Sequence, residues 1–354
     1  MGSPPSSPAP GPRPPAPEGA ARSFGPNPAG EAADPLRPPA ALPGRAAQPT
    51  TIQHWQLRDL IHCTKPDEVF CVNHQQVLKY NAVAKEGVVM QALRFCPTSM
   101  AVGHGYLASG GSRSELEITD LKDGSTLFSQ VLGGNVNNAL HIGYDYSTDL
   151  KLFVCNNDDT IKVYRLPSME LVETIHCTVP INYCSLSPDG QYLACVGDSN
   201  DVHLYRCSRT SDYEKLAKLS EASDHGMCCA WNPTGSCFAS ASQDGLVCVW
   251  DIKSRKPMAK FTTSLACRSI KFSKGPIDLM AFSEHESNVH LVDARSFNSQ
   301  QTITVAGIET DCCNISGLSF SPEGGLLYVG LDESIELFEV ESTKRRSFPS
   351  GGLM

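Results

Sequence analysis

One short pattern recurs about every 45 residues along most of the chain. In each copy an aromatic or aliphatic residue precedes a turn rich in Ser, Pro, Asp and Gly, as in Leu186-Ser187-Pro188-Asp189-Gly190. Successive copies are 49, 42, 45, 41 and 48 residues apart, and they start at Phe95, Tyr144, Leu186, Trp231, Phe272 and Phe320. This period is typical of a four-stranded propeller blade, which buries its apolar faces only against neighbouring blades.

Each unit also repeats one order of strands. Residues 181–186 alternate in polarity and lead into the turn, residues 191–196 form a second strand, and residues 202–205 form a third. A fourth, more polar strand has the character of residues 170–175. Alternation of period two with turns every 8–12 residues predicts an all-β fold, and no helical periodicity competes with it.

The stretch ASASQDGLVCVWDIK, residues 239–253, holds the chain's single Trp-Asp pair. The order of strand, Ser-Pro-Asp-Gly turn, Leu-Ala-Ser, Asp turn and Val-Trp-Asp resembles the WD40 repeat family over about residues 85–345. The resemblance implies a β-propeller, and a shorter unit over residues 55–84 makes seven blades. That unit has predicted strands near 57–62, 68–72 and 76–80. We expect a strand from one chain end to complete a blade built mainly from the other end, which removes an exposed edge.

A narrower likeness concerns two segments, HWQLRDLI and SMAVGHGYLASGGSRSELEI. Their order is similar to that in a group of plant and fungal WD40 proteins of unassigned function. This likeness implies no activity.

The Trp-Asp unit contains four residues that the family resemblance makes structural. In WD40 blades a His, a Ser or Thr, an Asp and a Trp form a buried hydrogen-bonded set, and three of these places are occupied here. The His place is not matched, because the nearest histidine, His225, stands three residues too late. The structural assignment covers Ser240, Asp244, Trp250 and Asp251.

Composition separates a tail from the repeats. Fifteen of the 25 prolines lie in residues 1–50, which contain one aromatic residue and too little apolar surface to offset the entropy of ordering. We therefore predict a disordered tail over residues 1–50 and a propeller over residues 51–350.

Charge and cysteine usage limit the function classes. The net charge of −9 argues against general nucleic-acid binding, and no apolar run is long enough to span a membrane. The 15 scattered cysteines lack framework or metal-ligand spacing, and Cys195, Cys228, Cys248 and Cys267 lie in apolar strands. They predict a reducing compartment, the cytosol or the nucleus, with no metal site and no cofactor.

The turns between second and third strands carry many acidic residues. A propeller gathers these turns on one face around its channel, so a basic peptide or partner segment would be attracted there. One Asp per turn would also serve as a local cap of the blade. The candidate binding residues are Asp158, Asp159, Asp198, Asp201, Glu284, Glu286, Asp332 and Glu333, with Arg113 interrupting the acidic ring.

The leading functional hypothesis is therefore a non-enzymatic scaffold, a monomeric propeller that binds other proteins within a complex. As an alternative, residues 238–253 resemble the box of WD40 substrate receptors of cullin-RING ubiquitin ligases. That resemblance implies adaptor contacts through Lys253, which stands where the family usually has Arg, and through Arg295. A third hypothesis, an enzyme built in the propeller channel, has no coherent acid, base or metal set in the sequence.

Overall fold

The computed structural model describes residues 36–37, 48–275, 277–305 and 313–340. These residues contain 28 strands and no helix. The strands form seven antiparallel sheets of four strands each, and six of the sheets use four consecutive strands. The first strand of each sheet packs on the first strand of the next, and the seventh packs on the first, so the ring is closed. The predicted all-β, seven-bladed propeller is confirmed.

The blades follow chain order and are numbered here from the first complete sheet. Blade 1 has β2 Ile61–Lys65, β3 Glu68–Asn73, β4 Gln76–Asn81 and β5 Glu86–Ala92. Blade 2 has β6 Pro97–Gly103, β7 Tyr106–Gly111, β8 Glu115–Asp120 and β9 Thr126–Val131. Blade 3 has β10 Asn137–Tyr144, β11 Leu150–Asn156, β12 Thr160–Arg165 and β13 Glu170–His176.

The remaining blades have the same plan. Blade 4 has β14 Ile181–Leu186, β15 Tyr192–Gly197, β16 Asp201–Cys207 and β17 Tyr213–Ser220. Blade 5 has β18 Gly226–Trp231, β19 Cys237–Ser242, β20 Leu246–Asp251 and β21 Pro257–Thr262, and blade 6 has β22 Cys267–Phe272, β23 Leu279–Glu284, β24 Asn288–Asp293 and β25 Gln300–Thr304. Blade 7 has β26 Ile315–Phe320, β27 Leu326–Leu331 and β28 Ile335–Val340.

Blade 7 is completed from the other end of the chain. Its fourth strand is β1 Leu36–Arg37, which pairs antiparallel with β28 so that Leu36 faces Val340 and Arg37 faces Glu339. The expectation that one terminus completes a blade of the other is confirmed. This short strand lies inside the predicted tail, most of which falls outside the described residues.

The core lies between blades, as a blade with two apolar faces requires. Blades 4 and 5, for example, share a cluster that includes Leu204, Trp231, Phe238 and Trp250. Phe238 is fully buried in it, and complete burial of such a side chain contributes about 1.5–3 kcal/mol.

The cysteines are part of this core. Eleven of the fourteen described cysteines are buried and all fourteen are free thiols, among them the four assigned to apolar strands from the sequence. Burial raises the pKa of the Cys71, Cys248 and Cys267 thiols to about 12. These side chains act as small apolar groups.

Two details of the sequence interpretation were wrong. Phe95-Cys96-Pro97 does not form the turn after a first strand; it leads into the first strand of blade 2, and that blade's turn is at His104-Gly105. The strand predicted near 57–62 starts only at Ile61, because Asp59 has a φ of 90° and the chain before it crosses the channel. The unit over residues 55–84 is also a full blade, since Glu86–Ala92 supplies its fourth strand.

Candidate functional site: the central channel and its mouth

The antiparallel order within each blade defines two faces. Turns between second and third strands, and the links between blades, lie on one face, which we call the mouth face. Turns between first and second strands, and between third and fourth strands, lie on the other face, which we call the opposite face. The channel connects the two faces and is lined by the seven first strands.

One ring of side chains occupies the same register of all seven first strands. Equivalence follows from the pairing of each first strand with the second strand of its blade. The ring consists of His62, Ala101, His141, Ser185, Ala230, Lys271 and Ser319. Three ionisable groups, His62, His141 and Lys271, therefore face a common axis although the first and the last of them are more than 200 residues apart along the chain.

The segment before blade 1 inserts a carboxylate into this ring. The backbone N–H groups of Asp59 and Leu60 both donate to the Ser316 carbonyl, at 2.9 and 3.0 Å. Gly317 makes room for this approach, because a Cβ there would lie 3.2 Å from the Asp59 Cα. Asp59 itself takes the left-handed backbone conformation that L residues seldom adopt, and Asp is among the better tolerated residues there.

The Asp59 carboxylate is buried and ion-paired. Its Oδ1 lies 2.6 Å from the Lys271 ammonium, and its Oδ2 accepts a hydrogen bond from the Tyr183 hydroxyl. Burial raises the pKa of Asp59, but the charges of Lys271 and His62 and the hydrogen bonds outweigh it, so the pKa is lowered overall. Asp59, Tyr183 and Lys271 thus join blade 4, blade 6 and the segment before blade 1 across the channel.

The two histidines of the ring are held neutral. His62 Nε2 lies 3.1 Å from the Met100 carbonyl oxygen, and burial lowers the pKa of this ring despite the neighbouring Asp59. Burial, and after it the charge of Lys271, lowers the pKa of His141 to about 4. On the opposite face this polar layer is the floor of a cavity of about 1070 Å³, whose rim includes Lys65, Tyr144 and Lys274.

Near the mouth face, each first strand of blades 2 to 7 has an extra residue in its pairing register, a β-bulge. In blades 2 to 4 the bulged residue ties its blade to the next one. Thr98 donates to the Asn137 carbonyl at 2.9 Å, Asn138 donates to the Ile181 carbonyl at 3.0 Å, and Asn182 donates to the Gly226 carbonyl at 3.0 Å. The corresponding residues of blades 5, 6 and 7 are Met227, Arg268 and Ser316. Met227 and Arg268 therefore interrupt this series of hydrogen bonds between neighbouring blades.

The channel mouth is covered by the chain that leads to Asp59. Trp55 is 64% exposed there, and the Arg268 guanidinium carbon lies 5.4 Å from the centroid of its ring. Beside it, Arg58 is buried and its Nη1 donates to the carbonyls of His54, Trp55 and Leu57. A large exposed aromatic side chain therefore packs on the buried Arg268 guanidinium, and the Arg58 guanidinium is held by the backbone of the same segment.

The predicted acidic residues fall into two groups. Three are paired within their own blades: Asp158 with Lys162 at 3.5 Å, Asp201 with Lys218 at 2.6 Å, and Glu284 with His290 at 2.9 Å. Asp201 and Glu284 are also buried, and their carboxylates are engaged by Lys218 and His290. Part or all of the side chain is accessible in Asp159, Asp198, Glu286, Asp332 and Glu333, and Arg113 is exposed on the same face.

The residues of the Trp-Asp unit form a set of hydrogen bonds in and beside blade 5. Trp250 Nε1 donates to the Ser240 hydroxyl at 2.9 Å. Asp244 accepts from the backbone N–H and the hydroxyl of Ser223, both at 2.7 Å, so Ser223 serves where the family has His. Asp251 caps the following turn through the Ser254 N–H at 2.6 Å.

The two candidate adaptor contacts lie on the opposite face, in the turns between third and fourth strands. Lys253 is exposed in blade 5. Arg295 of blade 6 is held by Asp293, with Nε and Nη2 at 3.0 and 2.6 Å from the carboxylate oxygens.

Sequence reasoning missed Asp59, Tyr183, Lys271, Arg58 and Arg268. The available signal was positional: a lysine stands at 271 where the equivalent strands carry Ser, Ala or His, and an arginine stands at 268 where others carry Thr or Asn. Recognising it requires the register of the blades, and two of the first strands were misplaced from the sequence.

Within the described ranges, no three His, Cys, Asp or Glu side chains are grouped so that they could hold a metal ion. A helix with the length and apolar character needed to cross a membrane is likewise missing from this part of the chain.

The closed ring of blades, with its polar channel, defines a repeat-built propeller. A family model described as the WD domain, G-beta repeat, matches residues 169–206 and 217–251, and one described as an uncharacterised protein domain matches residues 266–304. Each WD match runs from the fourth strand of one blade to the third strand of the next, so the repeat itself couples neighbouring blades. The chain belongs to the WD40-repeat β-propeller family.

The chain is also similar to individual proteins. An uncharacterized protein of Schizosaccharomyces pombe is 29% identical over 320 residues, which cover 85% of this chain and 92% of that protein. An uncharacterized protein of Saccharomyces cerevisiae is 27% identical over 222 residues, 51% of this chain and 30% of that protein. Subunit I of eukaryotic translation initiation factor 3 from Candida glabrata is 21% identical over 188 residues, 48% of this chain and 54% of that protein. The matches to the last two proteins span less than two thirds of their lengths.

Proposed function

We propose that this protein is a non-enzymatic scaffold that binds a segment of a partner protein on its mouth face, with Trp55 at the centre of the contact. The observation that carries the proposal is the exposure of Trp55. A Trp side chain that is 64% exposed at the end of a channel is a costly arrangement for a free surface, and Trp is enriched where protein partners are anchored.

The charges around Trp55 indicate the character of the partner. Asp159, Asp198 and Glu286 keep accessible carboxylates on the same face, on blades 3, 4 and 6. Carboxylates spread around a central aromatic residue favour a partner segment with basic side chains and speed its capture.

The channel supports a non-enzymatic function. Burial raises the pKa of the Cys228 and Cys229 thiols well above the ordinary value, which is the opposite of an activated nucleophile. The Lys271 ammonium forms an ion pair with the Asp59 carboxylate. Inert buried thiols and a closed ion pair stabilise the packing of the blades, which is a structural role.

Sequence similarity to a subunit of a larger complex supports a role in an assembly. One relative is by name a subunit of a translation initiation factor. The free thiols of the described cysteines fit a reducing compartment, so we place the scaffold in the cytosol or the nucleus, as a single propeller within a larger complex.

Affinity purification with mass spectrometry tests the proposal. Trp55→Ala, and separately Asp159→Lys combined with Glu286→Lys, should lose the partners that the native chain recovers. Asp123→Lys is the matched control, because Asp123 is exposed in a turn of the opposite face. Recovery of the same partners by the Trp55 variant and by the double variant would contradict the proposal.

The alternative, a substrate receptor of a cullin-RING ubiquitin ligase, depends mainly on Lys253, since Arg295 is paired with Asp293. It predicts co-purification of a cullin and its adaptor that is lost in Lys253→Glu. Adaptor binding that survives this change would remove the support for the site.

A further inference from the structure

Arg268 lies at the β-bulge of its first strand, a position whose side chain links neighbouring blades elsewhere in the propeller. At the same bulge, Thr98, Asn138 and Asn182 each donate to a backbone carbonyl of the next blade. Arg268 makes no such bond. Its Nη1 points back to the Met227 sulfur, and its Nε is buried without a partner.

Arg58 also has a buried nitrogen without a hydrogen-bond partner. Its Nη1 is engaged by three carbonyls, but its Nε is also buried without a partner. Neither guanidinium forms an ion pair with a carboxylate of the described residues. Burial, and next the charge of Arg268, lowers the pKa of Arg58 to about 10, so both groups stay protonated at neutral pH and repel each other.

Other buried cations of the propeller have a close carboxylate partner. Lys271 has Asp59 at 2.6 Å, and Lys151, which is fully buried, has Asp149 at 3.2 Å. Burying a charge without a close counterion is expensive, and two such charges side by side are more so. The arrangement is that of a receptor for an anion.

We propose that the channel mouth is an oxyanion site in which Arg268, with Arg58 beside it, binds a carboxylate of the partner segment while Trp55 packs on the same segment. This inference deepens the proposed scaffold function and rests on it. The guanidinium fork matches the geometry of a carboxylate.

The surroundings favour a singly charged anion. Asp332 and Glu286 act electrostatically on Arg58, and Asp224 acts on Arg268. These acids would repel a doubly charged phosphate more strongly than a carboxylate. They also attract basic residues, so the segment that fits best has one carboxylate flanked by lysine or arginine.

Trp55 fluorescence provides the assay, because Trp231 and Trp250 are buried. The probes are acetyl-Lys-Lys-Glu-Lys-Lys-amide, the same peptide with Gln or phosphoserine in place of Glu, and acetyl-Lys-Lys-Gly with a free or amidated carboxyl end. We expect the Glu peptide to bind about tenfold more tightly than the Gln peptide, as for a hydrogen-bonded charged group. Preference for the free carboxyl end over the Glu side chain would assign the site to a chain terminus, and tighter binding of phosphoserine would contradict the carboxylate assignment.

Arg268→Gln should reduce the preference for Glu over Gln to about onefold. Arg113→Gln is the matched control, since it removes an exposed arginine of the same face and should leave the preference unchanged. Equal binding of Glu and Gln peptides by the native chain, or a preference that survives Arg268→Gln, would overturn the oxyanion site; so would a failure of both peptides to bind. The scaffold proposal is judged separately, by the partners that Trp55→Ala recovers.

Thermal unfolding separates a binding role from a packing role. If the role of Arg268 is to bind an anion, Arg268→Gln removes a buried charge that has no counterion, and the thermal unfolding midpoint stays constant or rises. A fall of the midpoint by several degrees would mean that Arg268 stabilises the fold through Trp55 and Met227, and would overturn the proposal.

Discussion

Lys271 Nζ lies 2.6 Å from Asp59 Oδ1 inside the channel, and this contact joins blade 6 to the segment that precedes blade 1. The two residues are 212 positions apart, since 271 − 59 = 212. Their ion pair adds to the bonds by which Thr50 and Asp59 attach the same segment to blade 7. The ring is therefore held closed on its inner side as well as through β1 and β28 on its outer side.

Replacement of Lys271 by Met tests this closure. The change leaves the Asp59 carboxylate buried without its cation, and loss of one partner of a buried pair costs about 3–5 kcal/mol. We expect a loss near the lower end of that range in the free energy of unfolding, measured by denaturant titration, because Lys271 is partly reached by solvent from the cavity.

Asp59→Asn combined with Lys271→Met is the control for that experiment. Asn tolerates the positive φ of this position, and the pair of neutral groups no longer buries a charge. The double variant should recover part of the lost stability. If the single variant is as stable as the native chain, the ion pair does not hold the ring.

A stability loss at mildly acidic pH should come from His141. Burial lowers its pKa from 6.5 to about 4, so the unfolded chain binds a proton more readily than the folded one between these values. The stabilising contribution is complete above pH 6.5 and is lost as the pH falls towards 4. At pH 5 the expected loss is about 2 kcal/mol.

His141→Gln separates this residue from the other titrating groups. The variant should show a shallower fall in the free energy of unfolding between pH 7 and pH 5. His176→Gln, at an exposed position of β13, should keep the native slope. Equal slopes in the native chain and in the His141 variant would assign the acid sensitivity to another group.

The repeat explains why the fold was predictable. A turn that recurs every 41 to 49 residues, with strands of alternating polarity between the turns, specifies blades locally, and each blade needs only its neighbour to bury its faces. The errors fell where that rule is broken. Pro97 opens a first strand instead of ending one, and Asp59 leaves the extended conformation just before β2.

The site was predictable only in part, because its residues meet through the ring. Trp250 and Ser240 are neighbours on adjacent strands, so the family pattern was enough to pair them. Asp59 and Lys271 are 212 residues apart along the chain, and no local pattern connects them. The acidic turns were found, but the sequence does not tell a turn acid that is paired in its blade, such as Asp201, from one that remains accessible, such as Asp159.

Ser240→Ala should destabilise the chain through Trp250. The substitution removes the acceptor of the Trp250 indole N–H in a buried site, and an unsatisfied buried donor costs about 1–3 kcal/mol. Ser283→Ala is the matched control, because the Ser283 hydroxyl is buried without a partner, and its removal should be neutral or stabilising. Equal changes in the free energy of unfolding for both variants would show that the Trp250 hydrogen bond contributes nothing.

Truncation tests the role of β1 at the edge of blade 7. Removal of residues 1–33 retains Leu36–Arg37 and should leave the thermal unfolding midpoint unchanged. Removal of residues 1–47 deletes β1 and exposes the backbone groups of β28 that Leu36 and Arg37 pair with. Because an unpaired edge strand is a template for association, we expect a lower midpoint and concentration-dependent oligomers in light scattering. Identical midpoints and a monomeric state for both truncations would show that β28 does not need this fourth strand.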